Sequence, residues 1–235
     1  MTVAVKALFF DVFGTLVDWR GSIAREARAV LEPRGHAIDW LAFADAWRGE
    51  YQGAMEEVRA GRKPFCKLDV LHRRNLDRIL PRFDAEDVGE DDRRHLNLAW
   101  HRLDAWPDVS PALARLRRQY LVAPVSNGNV SLMVDLARRN SFTWDAILGA
   151  EFSGDYKPKL AVYRDAAEAF DLTPGHCLMV AAHSDDLAAA AAAGLRTAHV
   201  ARPDEKGKGR GETAPEIDVD FAAMDLRDLA EKLSV

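Results

Sequence analysis

The chain has 235 residues, 48% of them hydrophobic and 29% charged, which suffices for one large domain or for a core domain with an insertion. Its net charge of -5, with no basic stripe of interleaved aromatic residues, argues against a nucleic-acid-binding protein. No segment approaches the ~20 consecutive apolar residues of a membrane helix, and Lys6 and Asp11 interrupt the apolar N-terminal stretch, unlike a signal peptide. We therefore expect a cytoplasmic protein in which Cys66 and Cys177 are reduced and structural.

The first predicted strand is the apolar run Ala7–Phe10, which stops at Asp11 and a turn that contains Gly14. A buried parallel strand with a carboxylate at its carboxyl end is typical of catalytic sites in open α/β sheets. Asp11 is therefore a candidate nucleophile. The alternative is a turn cap, because Asp is common in turns that contain Gly and Thr.

The segment that follows the first strand has a helical pattern. Apolar residues recur at helical spacing at Ile23, Ala27, Val30 and Leu31, and again at 68, 71, 76, 79 and 80. We predict an all-helical domain of residues 18–106. The domain is inserted after the first strand of a core that consists of residues 1–17 and 107–235.

After Pro107 the pattern changes to short apolar runs, each followed by a helical segment. The runs 121–125 and 178–181 are predicted strands, and 197–201 and 219–221 are weaker ones. This alternation predicts an α/β protein with a Rossmann-like parallel sheet. The glycine-rich segment 206–211 lacks the strand-then-helix context of a phosphate-binding loop, and we expect a solvated, mobile loop there.

Polar residues stand where the predicted strands end. The loops that follow parallel strands gather at one edge of a sheet, so residues far apart in sequence converge there. A carboxylate, a hydroxyl, an ammonium and a second carboxylate are therefore expected in one pocket. These residues are Asp11, Ser126, Asn127, Lys157, His183 and Asp186.

These motifs together resemble the haloacid dehalogenase superfamily. The resemblance covers nearly the whole chain, and the predicted helical insertion matches the cap domain of that superfamily. It rests on Asp11-Val12-Phe13-Gly14-Thr15-Leu16, Ser126-Asn127-Gly128, Tyr156-Lys157-Pro158 and the stretch 180–194, in that order.

The first motif also bears on the type of reaction. By the resemblance, phosphatases of the superfamily carry an acid two residues after the nucleophile, where this chain has Phe13. A halide leaves without a proton, so this substitution favours carbon–halogen cleavage. Ala182 stands at a position that is acidic in the magnesium-dependent members, and a hard cation needs several oxygen ligands. We expect neither a metal nor another cofactor.

The closer resemblance is to the type II, L-2-haloacid dehalogenases, through Trp47-Arg48 at the position of their cap arginine. It implies that Asp11 displaces the halide of a small 2-haloacid with inversion, and that water then opens the aspartyl ester to release a 2-hydroxy acid. It also implies a homodimer. Trp40 and Trp100, with Trp47, could supply an apolar surface for it, although such residues are more often core.

The resemblance further assigns substrate contacts. Arg48 and Asn127 would hold the halide, and Ser126 with the backbone amides of Val12 and Phe13 would hold the substrate carboxylate. A solvated helix face is the alternative for Arg48. A turn cap is the alternative for Ser126 and Asn127.

The remaining assignments concern the nucleophile. Thr15 would orient Asp11, Lys157 would keep it ionised, and Asp186 would position Lys157 or the hydrolytic water. Tyr163 would support the lysine or pack as core. A surface lysine is the alternative for Lys157.

Four positions stay open at this point. Ala181 and His183 stand where relatives often carry Ser and Asn, and our hypothesis is that His183 orients or deprotonates the hydrolytic water. Alternatively, His183 makes structural hydrogen bonds or contacts the halide or substrate. Asp185 replaces a residue that is often aromatic. Asp18 would lie near the entrance or cap the first helix of the insertion.

Three other functions are open alternatives. One is a magnesium-dependent phosphatase of the same superfamily. Another is a hydrolase of a different 2-substituted carboxylic acid. A binding protein without activity would leave Asp11, Thr15, Ser126, Lys157 and Asp186 together unexplained. Nothing in the sequence ranks the halogens or chain lengths of the substrate.

Overall fold

A computed structural model of the protein describes residues 4–235; the first three residues of the predicted core segment 1–17 lie outside them. In this part the strands are β1 (Ala7–Phe10), β2 (Val17–Asp18), β3 (Asp104–Ala105), β4 (Leu121–Ser126), β5 (Leu148–Gly149), β6 (Cys177–Ala181), β7 (Arg196–Val200) and β8 (Phe221–Ala223). The α-helices are α1 (Trp19–Leu31), α2 (Trp40–Gly49), α3 (Tyr51–Arg59), α4 (Leu68–Ile79), α5 (Glu90–Asn97), α6 (Val109–Leu116), α7 (Val130–Asn140), α8 (Ala150–Ser153), α9 (Leu160–Glu168), α10 (Ser184–Ala193) and α11 (Leu226–Lys232).

Six of these strands form one sheet in the order β5-β4-β1-β6-β7-β8, in which neighbouring strands run parallel. β1 lies between β4 and β6, and Phe10 aligns with both Pro124 and Val180. Ala7 and Phe9 pack on one face of the sheet, whereas Leu8 and Phe10 pack on the other. Burial on both faces explains the continuous apolar runs in the sequence. The predicted α/β fold is confirmed.

Helices cover both faces of the sheet. α9 and α10 pack on the face of Phe9, and α6, α7 and α11 contribute to the core on the face of Phe10. In parallel sheets with this arrangement, ligands bind beyond the carboxyl ends of the strands. Asp11 directly follows β1 at this edge, and its backbone N–H donates to the carbonyl of Val180 in β6.

A two-stranded antiparallel ribbon, which the sequence patterns did not predict, frames the helices α1 to α5. It pairs Val17 with Ala105 and Asp18 with Asp104. Two residues per strand are too few for a periodicity signal. The ribbon brings both ends of the helical insertion together close to the turn that follows Asp11.

Two predicted strands shift along the chain. β7 lies one residue earlier than predicted, and β8 begins at Phe221 rather than at residue 219. The Asp220 carboxylate accepts hydrogen bonds from the Arg196 side chain and from the Thr197 N–H. The Asp220 side chain therefore accepts the N–H of Thr197 in β7, so this N–H does not bond to the backbone of a strand at residues 219–220.

The sequence did not decide whether several tryptophan and cysteine residues are exposed or buried, and the structure shows it. Trp47 and Trp100 are buried, so they supply no apolar surface for a partner, while Trp40 is partly buried. Cys66 and Cys177 are both free, and burial raises the pKa of the Cys177 thiol to about 12. No helix within residues 4–235 is long and apolar enough to cross a bilayer.

Candidate active site

A cleft of about 1020 Å³ opens at the carboxyl edge of the sheet, between the sheet and the helical insertion. It collects residues from the insertion, from the segments that follow β1, β4, β6 and β7, and from α9 with the loop before it. The sequence-predicted residues that line it are Asp11, Phe13, Arg48, Asn127, Lys157, Tyr163, His183 and Asp186. Residues 206–211, expected to be a solvated loop, contribute Lys206 and Arg210 to its wall.

The Asp11 carboxylate is held from three sides. Its Oδ2 accepts a hydrogen bond of 2.7 Å from the Thr15 hydroxyl and lies 3.3 Å from Nδ1 of His183, while its Oδ1 lies 3.2 Å from Nζ of Lys157. Burial alone would raise the pKa of Asp11, but Lys157, His183 and Thr15 together hold it well below its usual range. Asp11 is therefore an ionised, oriented carboxylate, as a nucleophile requires.

Thr15 owes its position to the strand beside it. The same hydroxyl that donates to Asp11 accepts the backbone N–H of Ala182, at 2.9 Å, from the end of β6. Both functions of the hydroxyl are used, so its proton points at the carboxylate.

Lys157 is buried beneath the cleft. Its Nζ lies 2.7 Å from Oδ2 of Asp186, and the Tyr163 hydroxyl donates to the other oxygen of Asp186. Burial tends to lower the pKa of Lys157, but Asp186 and then Asp11 outweigh it and raise that pKa. The lysine is an ammonium that two carboxylates share. The alternative of a surface lysine is wrong.

Burial and the nearby Asp11 charge act on Asp186 and Tyr163 in the same direction. Burial raises the pKa of Asp186, with Lys157 acting against it and Asp11 adding to it. Burial, then the charge and hydrogen bond of Asp186, raise the pKa of Tyr163, so its phenol keeps its proton as a donor.

Arg48 extends from α2 into an aromatic cage. Its guanidinium carbon lies 3.9 Å from the ring centre of Tyr51, 5.5 Å from that of Trp19 and 5.7 Å from that of Phe13. Its Nη1 is buried and has no hydrogen-bond partner among the described residues. Arg48 therefore points into the cleft rather than along a solvated helix face. A buried N–H group without an acceptor is a site for an incoming anion.

Beneath this cage lies His72, which the sequence patterns did not single out. It stacks on Trp100 with ring centres 4.3 Å apart, meets Phe13 edge-on, and has both ring nitrogens unpartnered within the described part of the chain. Burial lowers its pKa to about 3, so the imidazole is neutral. A single histidine at an apolar helix position carries no motif signal, and only the packing around it identifies it.

The loop after β4 supports the lysine. The side-chain oxygen of Asn127 accepts the backbone N–H of Lys157 at 2.9 Å, and Asn127 lines the cleft. The Ser126 hydroxyl accepts the N–H of Gly128 at 3.1 Å, which is the turn-capping contact that was its alternative. Ser126 and Val12 are buried.

Asp18 caps a helix. Its side chain accepts the N–H of Gly21 at 2.9 Å and begins α1. Of the two alternatives for Asp18, the structure shows the helix cap, and Asp18 is not among the residues that line the cleft.

His183 bridges two carboxylates, one of which sequence reasoning missed. Its Nε2 lies 3.0 Å from Oε2 of Glu205, and the other oxygen of Glu205 accepts a 3.0 Å hydrogen bond from the Trp19 indole. Burial opposes protonation of His183, but the contacts with Asp11 and Glu205 raise its pKa to about 10. In the free protein His183 is thus an imidazolium near neutral pH. The proton is held because both neighbours are anions. The hypothesis that His183 orients or deprotonates the hydrolytic water stays a prediction.

Glu205 had no sequence signal. It lies in the turn region after β7, far from the four recognised motifs, and only the folding of residues 202–212 back over the sheet edge brings it to His183. Within residues 4–235 no cluster of three or more His, Cys, Asp or Glu side chains is placed to hold a metal ion.

Comparisons with known proteins extend these findings. A family model for haloacid dehalogenase-like hydrolases matches residues 5–194. The solved structure of a defluorinating L-2-haloacid dehalogenase is 39% identical, covers 98% of this chain and 96% of its own, and superposes with a TM-score of 0.95. That of a second L-2-haloacid dehalogenase is 40% identical, with 98% and 99% covered and a TM-score of 0.94. (S)-2-haloacid dehalogenase 4A of Burkholderia cepacia is 27% identical over 206 residues, 86% of this chain and 85% of that protein.

Proposed function

The chain belongs to the haloacid dehalogenase-like hydrolase family, and we propose that within it the protein is a hydrolytic L-2-haloacid dehalogenase. One observation carries the proposal: the ionised Asp11 and the unpartnered guanidinium of Arg48 line the same cleft. A 2-haloacid has a carbon that a carboxylate can attack and a halide that needs an N–H donor. The named relatives act on L-2-haloacids.

The reaction has two steps. Asp11 attacks the halogen-bearing carbon from the side opposite the halogen, so that the carbon–halogen bond breaks, the carbon inverts and an ester on Asp11 forms. Water then adds to the Asp11 carbonyl carbon, and a 2-hydroxy acid leaves. The low pKa of Asp11 keeps the nucleophile ionised at working pH.

The halide and the substrate carboxylate are both anions. We assign the halide to Arg48 and Asn127, and the carboxylate to Ser126 with the backbone amides of Val12 and Phe13. The unpartnered Nη1 of Arg48 and the position of Asn127 on the cleft wall support the halide assignment. The rings of Phe13, Trp19 and Tyr51 surround the guanidinium with apolar surface, and a charge attracts an anion more strongly in such surroundings than in water.

The groups around the nucleophile complete the assignment. Thr15 orients Asp11, Lys157 balances its charge, and Asp186 with Tyr163 fixes Lys157. The distances given above support each of these roles. We propose that the charges of these residues, rather than a metal or a cofactor, stabilise the bound anions.

We further propose that residues 18–106 act as a cap over the core of residues 1–17 and 107–235. The ribbon β2–β3 supports these boundaries. Arg59 on α3 donates a 2.7 Å hydrogen bond to the carbonyl of Lys157, which ties the insertion to the loop that carries the lysine. Arg48 reaches the cleft from the same insertion, so the insertion supplies part of the site.

Phosphatase activity is the weaker alternative. Phe13 occupies the place of the general acid and packs edge-on against Tyr51 and Trp100, so the position holds an apolar ring among aromatic neighbours. An alkoxide leaving group needs a proton that Phe13 cannot supply.

The proposed function is tested by free halide released from L- and D-2-chloropropionate, chloroacetate, bromoacetate and fluoroacetate in the presence of EDTA. We expect release that is selective for the L enantiomer and unaffected by EDTA. Hydrolysis of phosphate esters that requires added magnesium, without halide release from any of the acids, would contradict the proposal. Acid products without halide release would indicate a different 2-substituted carboxylic acid.

Arg48→Met removes the donor to the halide while it keeps the length of the side chain. We expect ester formation to slow by about 10²-fold, which is typical of the loss of one charge-stabilising donor, and to slow more for chloride than for bromide. Hydrolysis of the ester is expected to change little. Stopped-flow halide detection in a single turnover measures the first step.

Arg62→Met is the matched control, because Arg62 is an exposed arginine of the same insertion whose partner is Glu57. It is expected to leave ester formation unchanged. Equal slowing by both variants would show that cap stability, rather than a halide contact, is responsible.

A homodimer and a cytoplasmic location remain predictions that accompany the proposed function. Light scattering of the purified protein and fractionation of cells of the source organism test them.

A further inference from the structure

We propose that Glu205 and His183 form the pair that activates the hydrolytic water, and that formation of the Asp11 ester switches this pair on. The inference rests on the proposed function and deepens it. His183 is the group that exchanges the proton, and Glu205 is the residue that positions and charges it.

The geometry places the imidazole between the nucleophile and Glu205. Nδ1 of His183 lies 3.3 Å from Asp11, and Nε2 lies 3.0 Å from Glu205. A water that approaches the carbonyl carbon of the Asp11 ester therefore comes within hydrogen-bonding reach of Nδ1. The Nε2 hydrogen bond to Glu205 fixes the ring orientation and the tautomer, as an orienting carboxylate does for a catalytic histidine.

The backbone is shaped to admit Glu205. A Cβ at Gly14 would lie 2.2 Å from Oε1 of Glu205, so only glycine allows the carboxylate to sit against the loop of the nucleophile. Gly14 also has a φ of +86°. Glu205 is buried, and the indole of Trp19 occupies its second oxygen. Burying a carboxylate is costly unless it is paired, and here the partner of the Glu205 carboxylate is His183 beside the nucleophile.

Ester formation changes the charge around His183. In the free protein the imidazolium faces two anions, Asp11 and Glu205. Alkylation neutralises Asp11, and the imidazolium then faces Glu205 alone while the ring remains buried. One of its two anionic neighbours is lost, which lowers its affinity for a proton. His183 becomes a base only after the ester has formed.

The protons balance over the cycle. Asp11 forms its bond to carbon as the carbon–halogen bond breaks, and His183 then releases one proton to solvent. His183 takes a proton from the attacking water as the oxygen bonds to the ester carbonyl carbon. It returns that proton to the departing alkoxide when the ester bond breaks, and it accepts the proton of the restored Asp11 carboxyl. The sum is haloacid plus water giving hydroxy acid, halide and one proton.

Other charged groups face this pair from neighbouring elements. Arg48 on α2 acts electrostatically on Glu205, and His183 acts on His199 in β7. Beyond Asp11, Lys157 and Asp186 form the ion pair on the far side of the nucleophile. The pH dependence of ester hydrolysis therefore reflects the titration of His183 as the surrounding ionisable groups influence it. These groups are Asp11, Glu205, Arg48, Lys157, Asp186 and His199.

The test separates the two chemical steps. Native protein, Glu205→Gln and His183→Gln are mixed with L-2-chloropropionate, quenched with acid and analysed by mass spectrometry for the Asp11 ester, while halide is followed in parallel. We expect both variants to release one halide per site at a rate within about fivefold of native. The ester should then persist, with turnover at least about 10²-fold slower, as for loss of a general base.

A pH profile distinguishes chemistry from structure. In the native protein, ester decay is expected to slow and the ester to accumulate as the pH falls, because a protonated His183 cannot accept a proton. Glu205→Gln removes the remaining anion, which lowers the pKa of His183. The fall in the rate of residual ester decay should therefore occur at a lower pH than in the native protein. A merely structural role of Glu205 would lower the rates of both ester formation and ester hydrolysis, and the pH at which hydrolysis slows would stay the same. This outcome would overturn the inference.

Glu231→Gln, an exposed carboxylate on α11, controls for net charge and should match native in both steps. Native protein that forms no ester with any haloacid would refute the proposed function itself. Native protein that forms the ester, with no accumulation in Glu205→Gln or His183→Gln, would refute only the pair. If a variant is unstable, the native acid-quench series at low pH still decides, since rapid ester decay there excludes a titrating base.

Discussion

Asp11→Asn is expected to lose halide release by at least about 10⁴-fold, the loss typical of a covalent nucleophile. The substitution keeps the shape and the Thr15 contact but removes the charge that attacks carbon. An amide oxygen has little nucleophilicity, and two other carboxylates of the cleft are already engaged: Asp186 with Lys157 and Tyr163, and Glu205 with His183 and Trp19. Halide release in a single turnover measures the effect.

A single turnover in water labelled with oxygen-18 shows whether Asp11 acts by attack on carbon. If Asp11 forms an ester that water opens at the carbonyl carbon, the label enters the Asp11 carboxylate and the first product is unlabelled. Label in the first product would mean that Asp11 activates water instead. Asp218→Asn is the matched control, because Asp218 is an exposed aspartate outside the cleft, and it should retain native turnover.

Much of the fold was predictable because its causes are local. The runs that became β1, β4 and β6 are apolar on both faces, and the parallel sheet buries both. The periodicity of α1 in Ile23, Ala27 and Leu31 is buried as expected. The ribbon β2–β3 was missed because each of its strands has only two residues and the two strands lie far apart in sequence. Val17 pairs with Ala105, 88 positions away, and Asp18 pairs with Asp104, 86 positions away.

The site was predictable where a residue stands at a strand end, and unpredictable where it arrives by packing. Asp11 and Asn127 follow from the first rule, because β1 and β4 deliver their carboxyl ends to one edge. Lys157 was also predicted at a strand end, but it lies in the loop between α8 and α9 and reaches the site through its contacts with Asp11 and Asp186. Glu205 and His72 follow from neither motif nor period. Glu205 depends on the contact of its carboxylate with Gly14, a long-range event that one sequence does not display. The raised pKa of His183 could not be predicted for the same reason, since one of its two anionic partners was unknown.

Lys157→Met is expected to abolish detectable turnover and to destabilise the fold by about 3 to 5 kcal/mol at pH 7, the range for removing one partner of a buried ion pair. The ammonium contacts Asp11 and Asp186, and its loss leaves two buried carboxylates without it. Their pKa values should rise, because burial and mutual repulsion both oppose ionisation. Urea unfolding, followed by fluorescence, measures the change in the free energy of unfolding.

The loss of stability in Lys157→Met is expected to depend on pH. In the native protein the pKa of Asp11 is depressed, so Asp11 contributes stability above its unfolded pKa of about 3.9, and this contribution is lost as the pH falls through the folded value. In Lys157→Met the carboxylates favour protonation, so acid relieves the unpaired charge. The stability gap between variant and native protein should therefore be widest near pH 7 and should narrow towards pH 4.

Lys159→Met is the matched control, because Lys159 is an exposed lysine two residues along the same loop. It should retain both native stability and native turnover. A gap that stayed constant from pH 7 to pH 4 would mean that Lys157 contributes packing of its methylene chain rather than charge. Retained turnover in Lys157→Met would show that Thr15 and His183 suffice to keep Asp11 ionised, and that the ammonium stabilises the fold without taking part in the chemistry.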